Sequence, residues 1–98
     1  MSDDAVRIDI WLWRARFMKT RGLATTYAGK GRIRIGLGNR PRRVEKASTL
    51  VRRGDTLTFP LRNRIVCLNI IEVGERRGPA AEARKMYELI VEEDVPDV

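Results

Sequence analysis

Two helix patterns and one strand pattern follow one another in residues 7–35, which read RIDIWLWRARFMKTRGLATTYAGKGRIRI. Asp9 precedes good helix formers from Ile10 to Phe17, which predicts a capped first helix of about two turns. The spacing of the apolar residues gives this helix one buried face, formed by Ile8, Leu12 and Ala15.

A second helix is predicted from Thr20, whose hydroxyl can cap it, to about Lys30, with Gly31 as its C-terminal stop. Its apolar side is formed by Leu23, Ala24 and Tyr27. After Gly31 the apolar residues recur at every second position, and no longer at helical spacing. Residues 32–35 alternate basic and apolar, which predicts a half-buried strand with Arg32 and Arg34 in solvent.

The rest of the chain is predicted to be mostly strands. Gly36 to Pro41 reads as a flexible basic loop, and short apolar runs predict strands at Arg43–Glu45, Thr56–Phe59 and Arg64–Val73. Gly78-Pro79 opens a predicted C-terminal helix. The apolar stripe of this predicted helix is formed by Ala80, Ala83, Tyr87 and Ile90. The last residues, Glu92 to Val98, are expected to be an acidic, frayed end. The predicted fold class is α+β: two short N-terminal helices on a small, mostly antiparallel sheet, with a closing helix.

Positive charge is concentrated in one half of the chain. Residues 7–53 contain fourteen Lys or Arg and two acids, a net charge of +12, whereas the whole chain carries +7. A solvated charged surface explains an excess of basic residues but not this segregation. Clustered Lys and Arg on a small domain are the electrostatic signature of a nucleic-acid binder.

Several functional classes are excluded by composition. Ninety-eight residues make one small domain, no apolar run is long enough to cross a membrane, and the acidic start does not resemble a signal peptide. The chain has one cysteine and no histidine, and no phosphate-loop, nucleophile-elbow or CxxC motif. We therefore expect a cytoplasmic binding protein that is not an enzyme and uses no metal or other cofactor.

The best candidate site is the start of the second helix. Lys19, Thr20 and Arg21 combine two positive side chains with the free backbone N–H groups of a helix N-terminus, which favours phosphate. Arginines of the following strand and loop would extend this track along an RNA backbone: Arg32, Arg34, Arg40, Arg42 and Arg43.

Trp11 and Trp13 lie two residues apart, about 200° around a helix axis, so both cannot enter one core. Either the second tryptophan is covered by the C-terminal helix through Tyr87 or Met86, or it offers a stacking platform to an unpaired base. Both tryptophans are kept as candidates for base stacking.

These residues together resemble the S4 RNA-binding domain. The resemblance rests on Arg7-Ile8-Asp9 with Leu12, on Ala15-Arg16-Phe17 and Lys19-Thr20-Arg21 with Ala24, on residues 31–35 and on Gly54-Asp55-Thr56-Leu57. Trp11-Leu12-Trp13, with residues 75–83 and Tyr87-Glu88, is similar to the ribosome-associated heat shock protein 15 family. The division that follows is an acidic tail (1–6), an S4-like RNA-binding domain (7–59), a strand and helix completing it (60–93) and an acidic tail (94–98).

The resemblance implies a stress-response protein that binds ribosomal RNA of the 50S subunit carrying peptidyl-tRNA and assists the rescue of stalled subunits. It implies no enzymatic activity. Carried over position by position, the RNA-facing residues would be Arg7, Arg14, Lys19, Thr20, Arg21, Lys30, Arg32 and Arg34. Residues 36–43 and Lys46-Ala47-Ser48 depart from the family's tight Asn-Gly turn and Lys-Pro-Ser, and the chain ends acidic where longer relatives continue into a basic extension.

Two other interpretations stay open. The chain could be an accessory subunit that delivers a separate RNA-modifying enzyme to its substrate. It could also bind DNA or a membrane surface by charge alone, although its basic residues are interleaved with strand and cap signals and do not line one long amphipathic helix. We expect a monomer without membrane association.

Overall fold

Seven strands and three short helices make up the computed structural model, which describes residues 4–36 and 41–94, with side chains described as far as Ile90. In chain order the elements are β1 (Ala5–Arg7), α1 (Ile8–Arg14), α2 (Arg21–Ala28), β2 (Ile33–Ile35), β3 (Arg42–Val44), β4 (Leu50–Arg52), β5 (Thr56–Leu61), β6 (Arg64–Ile70), α3 (Ala80–Ala83) and β7 (Tyr87–Asp94). The predicted α+β class is confirmed.

The main sheet has five strands in the order β3-β2-β5-β6-β7, and every neighbouring pair is antiparallel. β1 and β4 form a separate antiparallel pair that the sequence patterns did not predict. One face of the main sheet packs against α1 and α2 to form the core. Its fully buried members include Trp11, Leu12, Ile33, Leu57, Phe59 and Leu68.

α1 begins earlier than predicted. Asp9 is not its N-cap: the cap position is Arg7, which makes no side-chain capping bond, and Asp9 lies inside the first turn. The reason is that its carboxylate accepts hydrogen bonds from Arg7 and Thr25 as well as from the adjacent Ile10 amide. The predicted buried face of Ile8, Leu12 and Ala15 is confirmed.

α2 begins where predicted. Thr20 is extended, at φ −133° and ψ 160°, and its Oγ1 accepts a hydrogen bond of 3.1 Å from the Leu23 amide. The helix ends at Ala28, with Gly29 as its C-cap, two residues before the predicted end. Leu23, expected on the apolar side, is 55% exposed, whereas Ala24 and Ala28 are fully buried.

The predicted C-terminal helix is wrong beyond its first turn. α3 has four residues and is followed by a 3-10 turn at Arg84–Met86 and then by β7. Tyr87, assigned to the helix stripe, instead pairs with Ile70 of β6. Likewise, Glu92 and Glu93 are paired with β6 in this strand and do not fray. An unpaired β6 edge would leave backbone groups without partners, and β7 satisfies them.

The segment from Glu72 to Gly78, here called the strap, is hydrogen bonded to α1 and to the residue two positions beyond its end. Trp11 Nε1 donates to the Glu72 carbonyl oxygen (2.9 Å) and Arg14 Nη1 to that of Gly74 (2.7 Å). Arg16 Nε donates to the Gly78 carbonyl oxygen (2.7 Å), while the strap's Arg77 donates from Nε to the Trp13 carbonyl oxygen (3.0 Å). The strap thus closes the core beside Trp11.

None of the helices in the described ranges has the length and apolar character needed to span a bilayer.

Candidate nucleic-acid interface

The start of α2 presents the three predicted residues to solvent. Lys19, Thr20 and Arg21 are all exposed. Because Thr20 caps only the Leu23 amide, the first turn keeps other outward-facing N–H donors beside two positive side chains. This arrangement can bind a phosphate group without any rearrangement of the backbone.

A second group of cations lies on the sheet. Ile33 and Ile35 of β2 are buried, so Arg34 between them faces outward. Arg34 lies directly opposite Arg43 of β3 on one side and Thr58 of β5 on the other. Two like charges in a directly opposed cross-strand pair are destabilising unless an anion lies between them.

The other predicted basic residues near this sheet are also exposed: Lys30, Arg32 and Arg42. Arg32 lies close enough to Tyr27 for its charge to act on the phenol. Burial raises the pKa of Tyr27, and the positive charge of Arg32 opposes that rise. The Tyr27 hydroxyl donates to the Pro60 carbonyl oxygen, which fixes α2 to β5.

The exposed cations share the absence of acidic partners. Within residues 4–36 and 41–90, where side chains are described, no carboxylate pairs with any of them: Lys19, Arg21, Lys30, Arg32, Arg34, Arg42 and Arg43. Their charge is therefore available to an external anion. Arg40, also predicted for this surface, lies outside the described residues.

Two predicted RNA-facing residues have partners inside the protein. Arg7 donates to both carboxylate oxygens of Asp9, at 3.1 and 2.9 Å. Arg14 is half-buried, bonded to Gly74, and its Nε is buried without a partner. In this structure Arg7 and Arg14 hold the fold together and contribute less accessible charge than the α2 and sheet cations.

The two tryptophans have different surroundings. Trp11 is fully buried and makes edge contact with Tyr87 at 6.3 Å, so it presents no face to a base, contrary to its candidacy for stacking. Trp13 is half-buried and packs against the core cluster. The guanidinium carbons of Arg21 and Arg77 each lie 5.8 Å from its ring centroid, within cation–π distance.

Arg77 is the residue that the sequence patterns missed. It comes from the strap, 64 residues after Trp13, yet its guanidinium shares the Trp13 ring with Arg21 of α2. No local pattern indicates that contact. The described part of the chain holds no group of three or more His, Cys, Asp or Glu side chains able to bind a metal ion.

Comparison with known proteins gives a consistent set of relatives, although no family model matches. Heat shock protein 15 of Escherichia coli K12 is 38% identical over 87 residues, covering 89% of this chain and 62% of the relative. The RQC P-site tRNA stabilizing factor of Bacillus subtilis 168 is 35% identical over 88 residues, covering 90% of this chain and 95% of the relative. The chain thus spans about three fifths of the first relative and nearly all of the second.

A solved structure has the same fold. Heat shock protein 15 of Vibrio cholerae, whose structure is described as trimeric, superposes with a TM-score of 0.77 at 30% sequence identity, covering 88% of this chain and 82% of that one. The α+β architecture, the basic α2 start and these matches, which cover 88 to 90% of this chain, agree. This chain belongs to the heat shock protein 15 family and is likewise related to the RQC P-site tRNA stabilizing factors.

Proposed function

We propose that this chain binds ribosomal RNA of the large subunit while that subunit carries peptidyl-tRNA, and that it assists the rescue and recycling of stalled subunits. The observation that carries the proposal is the match over 95% of a protein named for stabilising P-site tRNA. Such a name presupposes a large subunit with a tRNA still in place. A small domain with unpaired exposed cations is suited to that role.

The proposed contact surface, here called the basic surface, combines the α2 start with the sheet cations. Lys19, Thr20 and Arg21 would hold one stretch of RNA backbone, and Arg32, Arg34, Arg42 and Arg43 would follow it across β2 and β3. Contacts of this kind position the protein on RNA by shape and charge, with little reading of sequence. Binding should therefore weaken steeply with salt.

Arg77 extends the basic surface beyond the S4-like region. Its guanidinium and that of Arg21 share one aromatic ring and make no ion pair in the described part of the chain. Trp13 therefore acts as a positioning residue that holds two arginines within about 12 Å of each other, since each lies 5.8 Å from the same centroid. Two guanidinium groups held this close to each other suit adjacent phosphates.

The proposed role involves binding and no chemical step, in the cytoplasm where ribosomes are found. Support comes from the names of the relatives, which describe a stabilising factor and a heat shock protein and not an enzyme.

The deciding experiment is cosedimentation of the protein with small subunits, large subunits and whole ribosomes, at low and moderate salt, with and without peptidyl-tRNA on the large subunit. We expect selective retention on large subunits that carry peptidyl-tRNA. Replacing Arg21 and Arg32 together by Ala should weaken retention and lower the salt slope by about 0.7 to 0.9 for each lost contact.

A matched control is Arg53→Ala, which removes one exposed arginine from the turn between β4 and β5. Equal, salt-labile binding to every particle would reduce the function to generic RNA binding. Stable copurification with an RNA-modifying enzyme, together with weak ribosome binding, would favour the accessory-subunit interpretation.

We infer that the chain acts as a monomer, and light scattering of the free protein tests this. A stable trimer, like the one described for the Vibrio cholerae protein, would contradict it.

A further inference from the structure

A cavity of about 260 Å³ lies between the end of α1, the β5–β6 turn and α3. Three arginines line it, Arg16, Arg62 and Arg84, and none of its described lining residues is acidic. The rest of the lining is apolar, with Phe17 and Tyr87 as its aromatic members. This part of the molecule lies outside the basic surface, and two of its three arginines, Arg62 and Arg84, come from residues 54–98, which are acidic overall.

Arg16 occupies a backbone position that favours glycine. The Phe17 amide donates to the Leu12 carbonyl oxygen (3.0 Å) and the Arg16 amide to that of Trp13 (3.1 Å), the two bonds of a Schellman motif ending α1. The residue at this point is left-handed, and Arg16 has φ +65°. Glycine or asparagine would be the residue of least strain.

Arg62 is placed against local preference in the same way. It is the first residue of the two-residue turn between Leu61 and Arg64, and both turn residues have positive φ, +50° at Arg62 and +65° at Asn63. This is a type I′ turn, whose first position favours asparagine, aspartate or glycine. Arg62 makes no hydrogen bond or ion pair within the described part of the chain, so no internal contact accounts for an arginine there.

Arg16 and Arg62 share an unusual backbone conformation and line the same cavity. Among the described residues, the non-glycine residues with positive φ are Arg16, Arg62 and Asn63, and two of these three line one cavity. Arg84, the third arginine, is exposed and has no acidic partner among the described side chains. Residues held in sparsely populated backbone conformations tend to cluster at functional sites.

We propose that this cavity binds one nucleotide of the RNA, with its phosphate held by Arg16, Arg62 and Arg84 and its base against Phe17 and Tyr87. Three guanidinium groups without an acidic partner among the described side chains select an anion, and aromatic rings select a planar group. At about 260 Å³ the cavity is slightly smaller than the ~300 Å³ at which most small-molecule pockets begin, which suits one residue of a polymer better than a whole cofactor.

The cavity adjoins the basic surface through the strap. Arg16 bonds to the Gly78 carbonyl oxygen, and Arg77, the preceding residue, reaches Trp13 and so lies beside Arg21. An RNA strand crossing the α2 start can therefore continue past the strap into the cavity. The inference rests on the proposed function and adds to it a second contact region.

The test compares binding to large subunits carrying peptidyl-tRNA, over a series of salt concentrations, for the wild type, Arg62→Asn, Arg84→Ala and their combination. Arg62→Asn removes the charge while supplying the residue that the turn prefers, so its melting temperature should equal or exceed that of the wild type. The double variant should bind about tenfold more weakly, with a salt slope smaller by about 1.4 to 1.8. Arg53→Ala serves as the control for loss of one exposed charge.

Two further arms identify the occupant. RNA carrying 4-thiouridine should crosslink to Phe17 or Tyr87 in the wild type and lose the adduct in the double variant. Adenosine monophosphate, titrated alone and followed by the NMR signals of Tyr87, should bind only weakly. Tight binding of the monophosphate, without an RNA crosslink, would identify a free-nucleotide site and overturn the proposal.

Failure of the cavity and failure of the proposed function give different results. If the double variant matches Arg53→Ala in affinity and slope while Arg21→Ala binds weakly, the cavity is not an RNA site and the proposed function stands. If Arg21→Ala also binds like the wild type, the basic surface and the cavity proposal both fail.

Discussion

Thr25 Oγ1 donates a hydrogen bond of 2.8 Å to Asp9 Oδ2, which joins α2 to α1. Asp9 is 3% exposed, and its carboxylate also accepts two hydrogen bonds from Arg7 and one from the Ile10 amide. Burial alone would raise the pKa of Asp9, but the hydrogen bonds from Arg7 and Thr25 and the Arg7 charge outweigh it and hold this pKa below its ordinary value of 3.8. The ionised carboxylate is the form that stabilises the helix pair.

Acid should therefore destabilise the protein through this group. Because the pKa of Asp9 is lower in the folded than in the unfolded chain, its stabilising contribution is complete above the ordinary value of 3.8 and is lost as pH falls through the lower folded value. Asp9→Asn should lower the free energy of unfolding at neutral pH by about 2 kcal/mol and flatten its dependence on acid pH. Urea titrations of both proteins at several acid pH values measure this, and identical pH slopes would contradict it.

The Thr20 cap gives a prediction that separates stability from charge. Thr20→Ala removes the acceptor of the Leu23 amide and should lower the free energy of unfolding by about 1 kcal/mol, whereas Thr20→Ser should keep most of it. Thermal unfolding of the three proteins measures the difference. Equal melting temperatures for the Ala and Ser variants would show that the hydroxyl bond adds nothing.

The opposed pair Arg34 and Arg43 predicts a conflict between stability and binding. Replacing Arg43 by Thr removes a like-charge cross-strand contact and should raise the free energy of unfolding by about 0.2 to 1 kcal/mol. The same change should weaken binding to large subunits and lower its salt slope. Denaturation and sedimentation of one variant test both effects, and a loss of stability would refute the first.

Arg77 and Arg76 form a natural comparison. Arg77 contacts the Trp13 ring, while Arg76 is exposed and ion-paired with Glu82 at 3.2 Å. Arg77→Ala should weaken RNA binding and lower the salt slope by about 0.7 to 0.9, and Arg76→Ala should change both much less. Arg77→Lys keeps the charge but loses the planar guanidinium group. Its salt slope should be close to that of the wild type, while its affinity for RNA should be lower. If both alanine variants behave alike, Arg77 has no special place in the interface.

Local signals were sufficient for the start of α2 and for β2, which position the basic surface. Thr20 caps its own helix, and Ile33 and Ile35 turn Arg34 outward, so residues within one turn or one strand determine these features. β7 could not be predicted in this way. Ala80, Ala83 and Tyr87 have helical spacing, but the hydrogen-bonding requirement of β6 pairs Tyr87 with Ile70 and ends the helix.

Side-chain contacts between residues distant in sequence could not be predicted either. Asp9 resembles a cap until Thr25 of the next helix is seen to bond to it. Arg14 has the charge of an RNA contact, yet the Gly74 carbonyl oxygen, 60 residues away, takes its guanidinium. Whether an arginine is available to a ligand depends on such non-local partners, which charge patterns do not contain.

The strap also bears on how the protein is made. α1 is synthesised early, but the strap residues that bond to it and to Arg16 follow 60 to 64 residues later. A helix of seven residues is too short to persist in water without tertiary contacts. During translation Trp11 therefore lacks its cover until the strap, which begins about 60 positions later, has been polymerised. The first helix is completed by contacts with residues made long after it, and not by its neighbours in sequence.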